Sequence, residues 1–125
     1  MKAFAGFTCG VVVSFAVWAA TAASEDDIPE PYPREGAVKL LENDKVIVWR
    51  VRFGKGAATP MHRHALDHVA IFLKGGRMQM TRPDGRQETR ELRTDRVYYV
   101  KAGLTHSELA LDDDVEAYSI EIKKP

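Results

Sequence analysis

From residue 37 onward the chain runs in short apolar stretches separated by turn signals, and this punctuation leaves room for little but strands. Residues 45–53 alternate, with Ile47, Trp49, Val51 and Phe53 on one face, which is the period of a half-buried strand. Gly54, Lys55 and Gly56 end it. Residues 59–64 predict a short strand started by Pro60, and residues 68–74 a third, ended by Gly75 and Gly76. Residues 77–82 and 86–92 flank Pro83, Asp84 and Gly85, a hairpin turn signal. Residues 96–100 and 105–110 flank Lys101, Ala102 and Gly103, and an acidic turn at 112–114 precedes a last strand over 115–122. No stretch of this region carries a convincing helical period. About eight strands in roughly 90 residues call for a β-sandwich or barrel. One all-β domain over residues 37–125 is expected.

The first 36 residues are of another kind. Lys2 is followed by an uncharged run over 3–24, rich in Ala, Val and Phe, and then by Glu25, Asp26 and Asp27. Ala20, Thr21 and Ala22 fit the small-x-small cleavage rule, so residues 1–23 read as a secretory signal peptide and the protein as periplasmic or secreted. The run is just long enough to span a bilayer, so an uncleaved anchor is the alternative. The chain's one cysteine, Cys9, lies inside the run and would leave with it, so the mature protein could form no disulfide. A small exported domain of this kind must draw stability from sheet packing, oligomerisation or a metal.

Residues 24–36 are charged and carry Pro29, Pro31 and Pro33, the composition of an arm or linker. Such an arm stays disordered or lies across a partner subunit. A homodimer is expected, because pairing would also cover unpaired strand edges. The whole chain balances 18 basic against 18 acidic residues, and loss of Lys2 leaves 17 against 18. That supplies no global drive toward nucleic acid or an anionic membrane. The arginines from Arg77 to Arg96 are interleaved with Asp84, Glu88, Glu91 and Asp95, a solvated hairpin face rather than a nucleic-acid patch. Neither nucleic acid nor, after cleavage, a membrane is expected as a partner.

The four histidines of the chain are His62, His64, His68 and His106. Imidazole is the commonest metal ligand near neutral pH, and four rings grouped as three plus one point to a single metal site. His62 and His64 are two apart on a strand and share a face. His68 keeps that parity if the strand resumes after a bend at Ala65 and Leu66, and His106 must arrive from a distant strand. Asp67 has the opposite parity to His68 and is expected to pair with a basic residue. Met78 and Met80 alternate and read as barrel lining rather than thioether ligands. One ring of the pair Tyr98 and Tyr99 faces inward and the other outward.

The spacing resembles that of a small single-domain cupin. The family's first motif is Gly, five residues, His-x-His, three or four residues, Glu, six residues, Gly. Here Gly56 is followed after five residues by His62, Arg63 and His64, after three more by His68, and after six more by Gly75. Asp67, His68 and Val69 stand where many cupins read Asp-Glu-Val. The second motif is Gly, five residues, Pro-x-Gly, two residues, His, three residues, Asn, and it is degenerate here. Asp95, Lys101 and Ala110 replace its first Gly, its Pro and its Asn, while Gly103 and His106 remain.

The resemblance covers roughly residues 40–123 and implies a jelly-roll β-barrel with His62, His64, His68 and His106 around one divalent transition metal ion. His68 in place of the usual glutamate makes the donor set neutral and all-nitrogen, which suits iron(II), copper, zinc or nickel and suits manganese less. It also removes the carboxylate that some cupin dioxygenases use as a base. Proton transfer would then fall to Glu108, Asp67, a tyrosine such as Tyr98, Tyr99 or Tyr118, or the substrate.

Three functions stay open. The first is a non-haem oxygenase or related metalloenzyme acting on a small oxygenated molecule. The second is a non-catalytic periplasmic protein that binds a metal or small ligand. The third is a structural cupin whose metal staples the barrel.

Overall fold

The computed structural model describes residues 24–125; the expected signal peptide, residues 1–23, lies outside the described residues. Among the described residues, nine strands follow a 3-10 turn, Glu25–Asp27. They are β1 (Ala37–Glu42), β2 (Val46–Phe53), β3 (His62–Arg63), β4 (Asp67–Lys74), β5 (Gly76–Thr81), β6 (Gln87–Leu92), β7 (Val97–Val100), β8 (Thr105–Ala110) and β9 (Val115–Ile122). One sheet has the order β1-β2-β9-β4-β7 and the other β3-β8-β5-β6. All named pairings are antiparallel. The two sheets face each other as a jelly roll. The two are hydrogen-bonded as separate sheets, and the segment after β2 crosses to β8 through a bridge between Lys55 and Ala110 and through the Gly56 N–H donating to the Ala110 carbonyl at 2.9 Å.

The alternation in β2 is realised: Trp49, Val51 and Phe53 are buried while Arg50 and Arg52 are exposed. Their partners on β9 follow the same period, with Val115, Ala117, Ser119 and Glu121 buried. Phe72, Met78, Leu92 and Ala110 complete the core from the other strands. The core is therefore apolar at the Val115 end and turns polar toward Ser119 and Glu121. The turn at Pro83–Gly85 closes as expected, with Gly85 at φ +84° and its N–H donating to the Arg82 carbonyl at 2.9 Å.

Two local expectations need correction. The strand expected over 59–64 is only His62–Arg63. Pro60 has no N–H to give to a ladder, and Thr59 bonds instead to Glu108. An unexpected strand, β1, precedes β2. It lies at a sheet edge with five of its six residues exposed, including Val38, Leu40 and Leu41, so no apolar alternation marked it. A register shift between Lys39 and Leu41 breaks its period as well.

The segment before β1 folds onto its own domain. Tyr32 is half-buried and stacks on Trp49 with ring centroids 4.9 Å apart. The Pro29 carbonyl accepts from the Arg63 N–H at 2.8 Å. Arg34 lies over the Phe53 ring, 4.9 Å from its centre.

Candidate metal centre

β3 is only two residues long, yet its pairing decides the site. His62 is the register partner of His106 on β8, so two inward rings stand side by side across the ladder. Beyond β3 the pairing continues irregularly: the His64 N–H donates to the Leu104 carbonyl at 2.9 Å, and the Gly103 N–H donates to the His64 carbonyl at 2.7 Å. His62 and His64 are both buried and Arg63 between them is exposed, as two-residue parity requires. All four histidines are at most 6 % exposed.

The ring nitrogens converge. His64 Nε2 lies 3.2 Å from His62 Nε2 and 3.2 Å from His106 Nε2. Three nitrogens bound to one ion at about 2.0–2.1 Å would themselves sit roughly 3 Å apart, so this spacing fits a shared ion. The tautomer of His62 agrees. Its Nδ1 lies 2.9 Å from the Pro60 carbonyl, a contact that requires the N–H there and leaves the Nε2 lone pair facing the cluster. His62, His64 and His106 form a buried trio able to hold a metal. His68 comes from the opposite sheet, and its ring stacks on His64 with centroids 4.3 Å apart and planes 20° from parallel. The Nδ1 atoms of His64 and His68 are buried and have no hydrogen-bond partner among the described residues.

Burial sets the charge state. It holds the imidazoles well below the ordinary histidine range, to about 4 for His68 and about 3 for His106, with neighbouring histidines adding to the effect. His62 and His64 shift the same way, also chiefly through burial. The rings are thus neutral at physiological pH, the form that binds metal. Burial pushes the Glu108 carboxyl up to about 7, partly opposed by the Arg34 charge. Its oxygens lie 3.9 Å from His62 Nε2 and from His106 Nε2.

The cluster opens on a cavity of about 100 Å³ whose wall includes His64, His106, Glu108, Tyr98 and Arg82 beside core residues such as Phe72 and Leu92. Tyr98 is the inward ring, set edge-on to Phe72 at 5.6 Å, and Tyr99 is the outward one. Met80 lines the cavity and Met78 is fully buried, as their alternation implied. The hairpin arginines border the cavity at two points, the half-buried Arg82 and the exposed Arg90, which pairs with Glu88 at 2.9 and 3.0 Å.

Asp67 does not pair with a basic residue. It accepts from the Tyr99 hydroxyl at 2.6 Å and from the Ala102 N–H at 2.7 Å, and the Tyr99 bond foremost holds its carboxyl below the usual range. It therefore ties the start of β4 to the turn that delivers His106. Sequence reasoning passed over Tyr32, which enters the cavity wall from the proline-rich arm. The signal was an aromatic residue alone among charged residues and prolines.

No family model matches the chain. It is 36% identical over 67 residues to a β-alanine degradation protein, BauB, of Pseudomonas aeruginosa, a match covering 54% of this chain and 70% of that protein. Among solved structures, a cupin domain from Bordetella pertussis Tohama I superposes with a TM-score of 0.64 at 29% identity, over 74% of this chain and 99% of that one. An RmlC-like cupin family protein with a double-stranded β-helix fold, from Methanocaldococcus jannaschii, superposes with a TM-score of 0.57 at 18% identity, over 73% and 85% of the two chains.

Proposed function

We propose, from the premise that this chain belongs to the cupin superfamily, that it is a metal-binding cupin whose trio His62, His64 and His106 holds one divalent transition ion beside a small-molecule cavity. The observation that carries this reading is the convergence of three neutral Nε2 atoms, two of the gaps being 3.2 Å. Imidazole donors favour iron(II), copper, zinc or nickel over manganese. When bound, such an ion supplies a Lewis acid that polarises an oxygen of a substrate, or a place for dioxygen.

The chain's own residues define what can enter. Arg82 and Arg90 give the cavity wall positive charge, while Tyr98, Phe72 and Leu92 give it apolar surface. A small oxygenated molecule carrying a carboxylate suits that lining, and the name of the β-alanine degradation relative is in keeping with a substrate of this size and charge. Glu108 sets its carboxyl beside two of the metal-facing rings. The protein acts, on this reading, as an exported enzyme of the non-haem oxygenase type.

Metal analysis of protein recovered from its native compartment tests the proposal, since overexpression elsewhere could load another ion. One transition ion per chain is expected, with loss of roughly tenfold or more in affinity on His62→Ala, His64→Ala or His106→Ala. Full metal occupancy in His106→Ala would refute the site.

A further inference from the structure

Building on the metal reading above, we propose that Glu108 is a ligand of the same ion, supplying from β8 the carboxylate that the family's first motif would place where His68 stands. Glu108 follows His106 by two residues on β8, so both side chains project to the same inward side. Its backbone is pinned on both polar groups by buried Thr59: its N–H donates to Thr59 Oγ1 at 2.9 Å, and its carbonyl accepts the Thr59 N–H at 2.8 Å. The carboxylate then straddles two of the metal-facing rings. Oε2 lies 3.9 Å from His62 Nε2, and Oε1 lies 3.9 Å from His106 Nε2.

The side chain is only 15 % exposed, and among the described residues no lysine or arginine bonds to its oxygens. Arg34, whose charge reaches it, is turned instead to the carbonyls of Glu35 and Arg52. A buried carboxylate without a counter-charge is unfavourable, and a divalent ion among the three Nε2 atoms would provide one. Donor atoms around one ion lie roughly 3 Å apart, so a carboxylate shift of about 1 Å brings Glu108 into the shell. His68 brings no carboxylate to the cluster; its ring lies flat against His64, with centroids 4.3 Å apart. Adding one anionic oxygen donor to three imidazoles makes the site more hospitable to manganese(II) than a nitrogen-only set.

The test uses the whole chain, stripped of metal and titrated separately with cobalt(II) and manganese(II). Calorimetry reads affinity and the visible spectrum reads the cobalt(II) ligand field. Glu108→Gln should lower manganese(II) affinity roughly tenfold or more and shift the cobalt(II) bands. Glu108→Asp should recover part of both, and Glu91→Gln, an exposed change on β6, should alter neither. Wild-type manganese(II) affinity together with an unshifted cobalt(II) spectrum in Glu108→Gln would overturn the assignment. If that variant does not fold, a crystal structure of the cobalt-loaded wild type decides: a Glu108 oxygen within about 2.2 Å of the ion supports the ligand role, and one beyond about 3 Å rejects it. A wild-type chain that takes up neither ion would instead end the metal reading itself, before any variant is compared.

Discussion

Glu121 stands opposite His68 in the β4–β9 register and accepts the Trp49 indole N–H at 2.8 Å. Burial raises its carboxyl, and the indole bond offsets this only in part. A raised acid is stabilising below its ordinary value of 4.5, and that contribution is lost as pH climbs through the raised value. Glu121→Gln keeps an acceptor for Trp49 and removes the buried charge. Its melting temperature should therefore rise relative to wild type as pH goes from 4 to 8, and a constant difference across thermal melts would contradict this. Glu121→Leu strands the indole N–H and should cost about 1–3 kcal/mol at neutral pH. At the metal site the same scale separates the four imidazoles. His68→Ala should affect metal affinity less than loss of any of His62, His64 or His106, because its ring meets the trio by stacking. Calorimetric titration of the four alanine variants ranks them directly.

Two elements hold the site in place from a distance. At the corner between β4 and β5, a Cβ on Gly75 would clash with the Leu92 carbonyl oxygen, a backbone atom that cannot swing aside. Gly75→Ala should destabilise by about 1–3 kcal/mol or prevent folding, as read from urea melts. The turn before β8 depends on Asp67, whose carboxyl is held low by Tyr99 and Ala102. A lowered acid contributes stability above its ordinary value of 3.8 and loses it as pH falls through the lowered one. Asp67→Asn should melt below wild type at pH 7, and the two curves should meet below about pH 3. Curves that stay apart in acid would show that Asp67 acts through shape alone.

On the scale of the whole molecule, the polar end of the core concentrates four uncharged imidazoles, a carboxyl and Ser119 in one interior. Burying so many polar groups weakens a small domain unless something binds them. Metal should therefore stabilise the fold by linkage, by about 2.7 kcal/mol at a hundredfold excess over Kd. A chelator should reverse the gain, and an unchanged melting temperature with and without zinc would argue against a bound ion. Among the described residues, β1 is an edge strand without a second neighbour, and Val38 and Leu40 on it are exposed. The expected homodimer is checked by light scattering, where a monomer at high micromolar concentration would count against it.

Period-two alternation made β2 readable, because a strand with one buried face must write that face into every second residue, while β4, β8 and β9 were legible as short apolar stretches closed by turn signals. The same rule put His62 and His64 on one side, and motif spacing brought His106 to them. Alternation says which side a residue faces, however, and not which side meets it. That His68 lies flat on His64, that Glu108 rather than a residue of the first motif brings a carboxylate to the rings, and that Tyr32 leaves a proline-rich arm to join the cavity wall all depend on how two sheets come together. The strand β1 escaped notice for a related reason: an edge strand with almost no buried face leaves no alternation to find. Local parity belongs to the chain, whereas the meeting of the two sheets is a property of the closed fold.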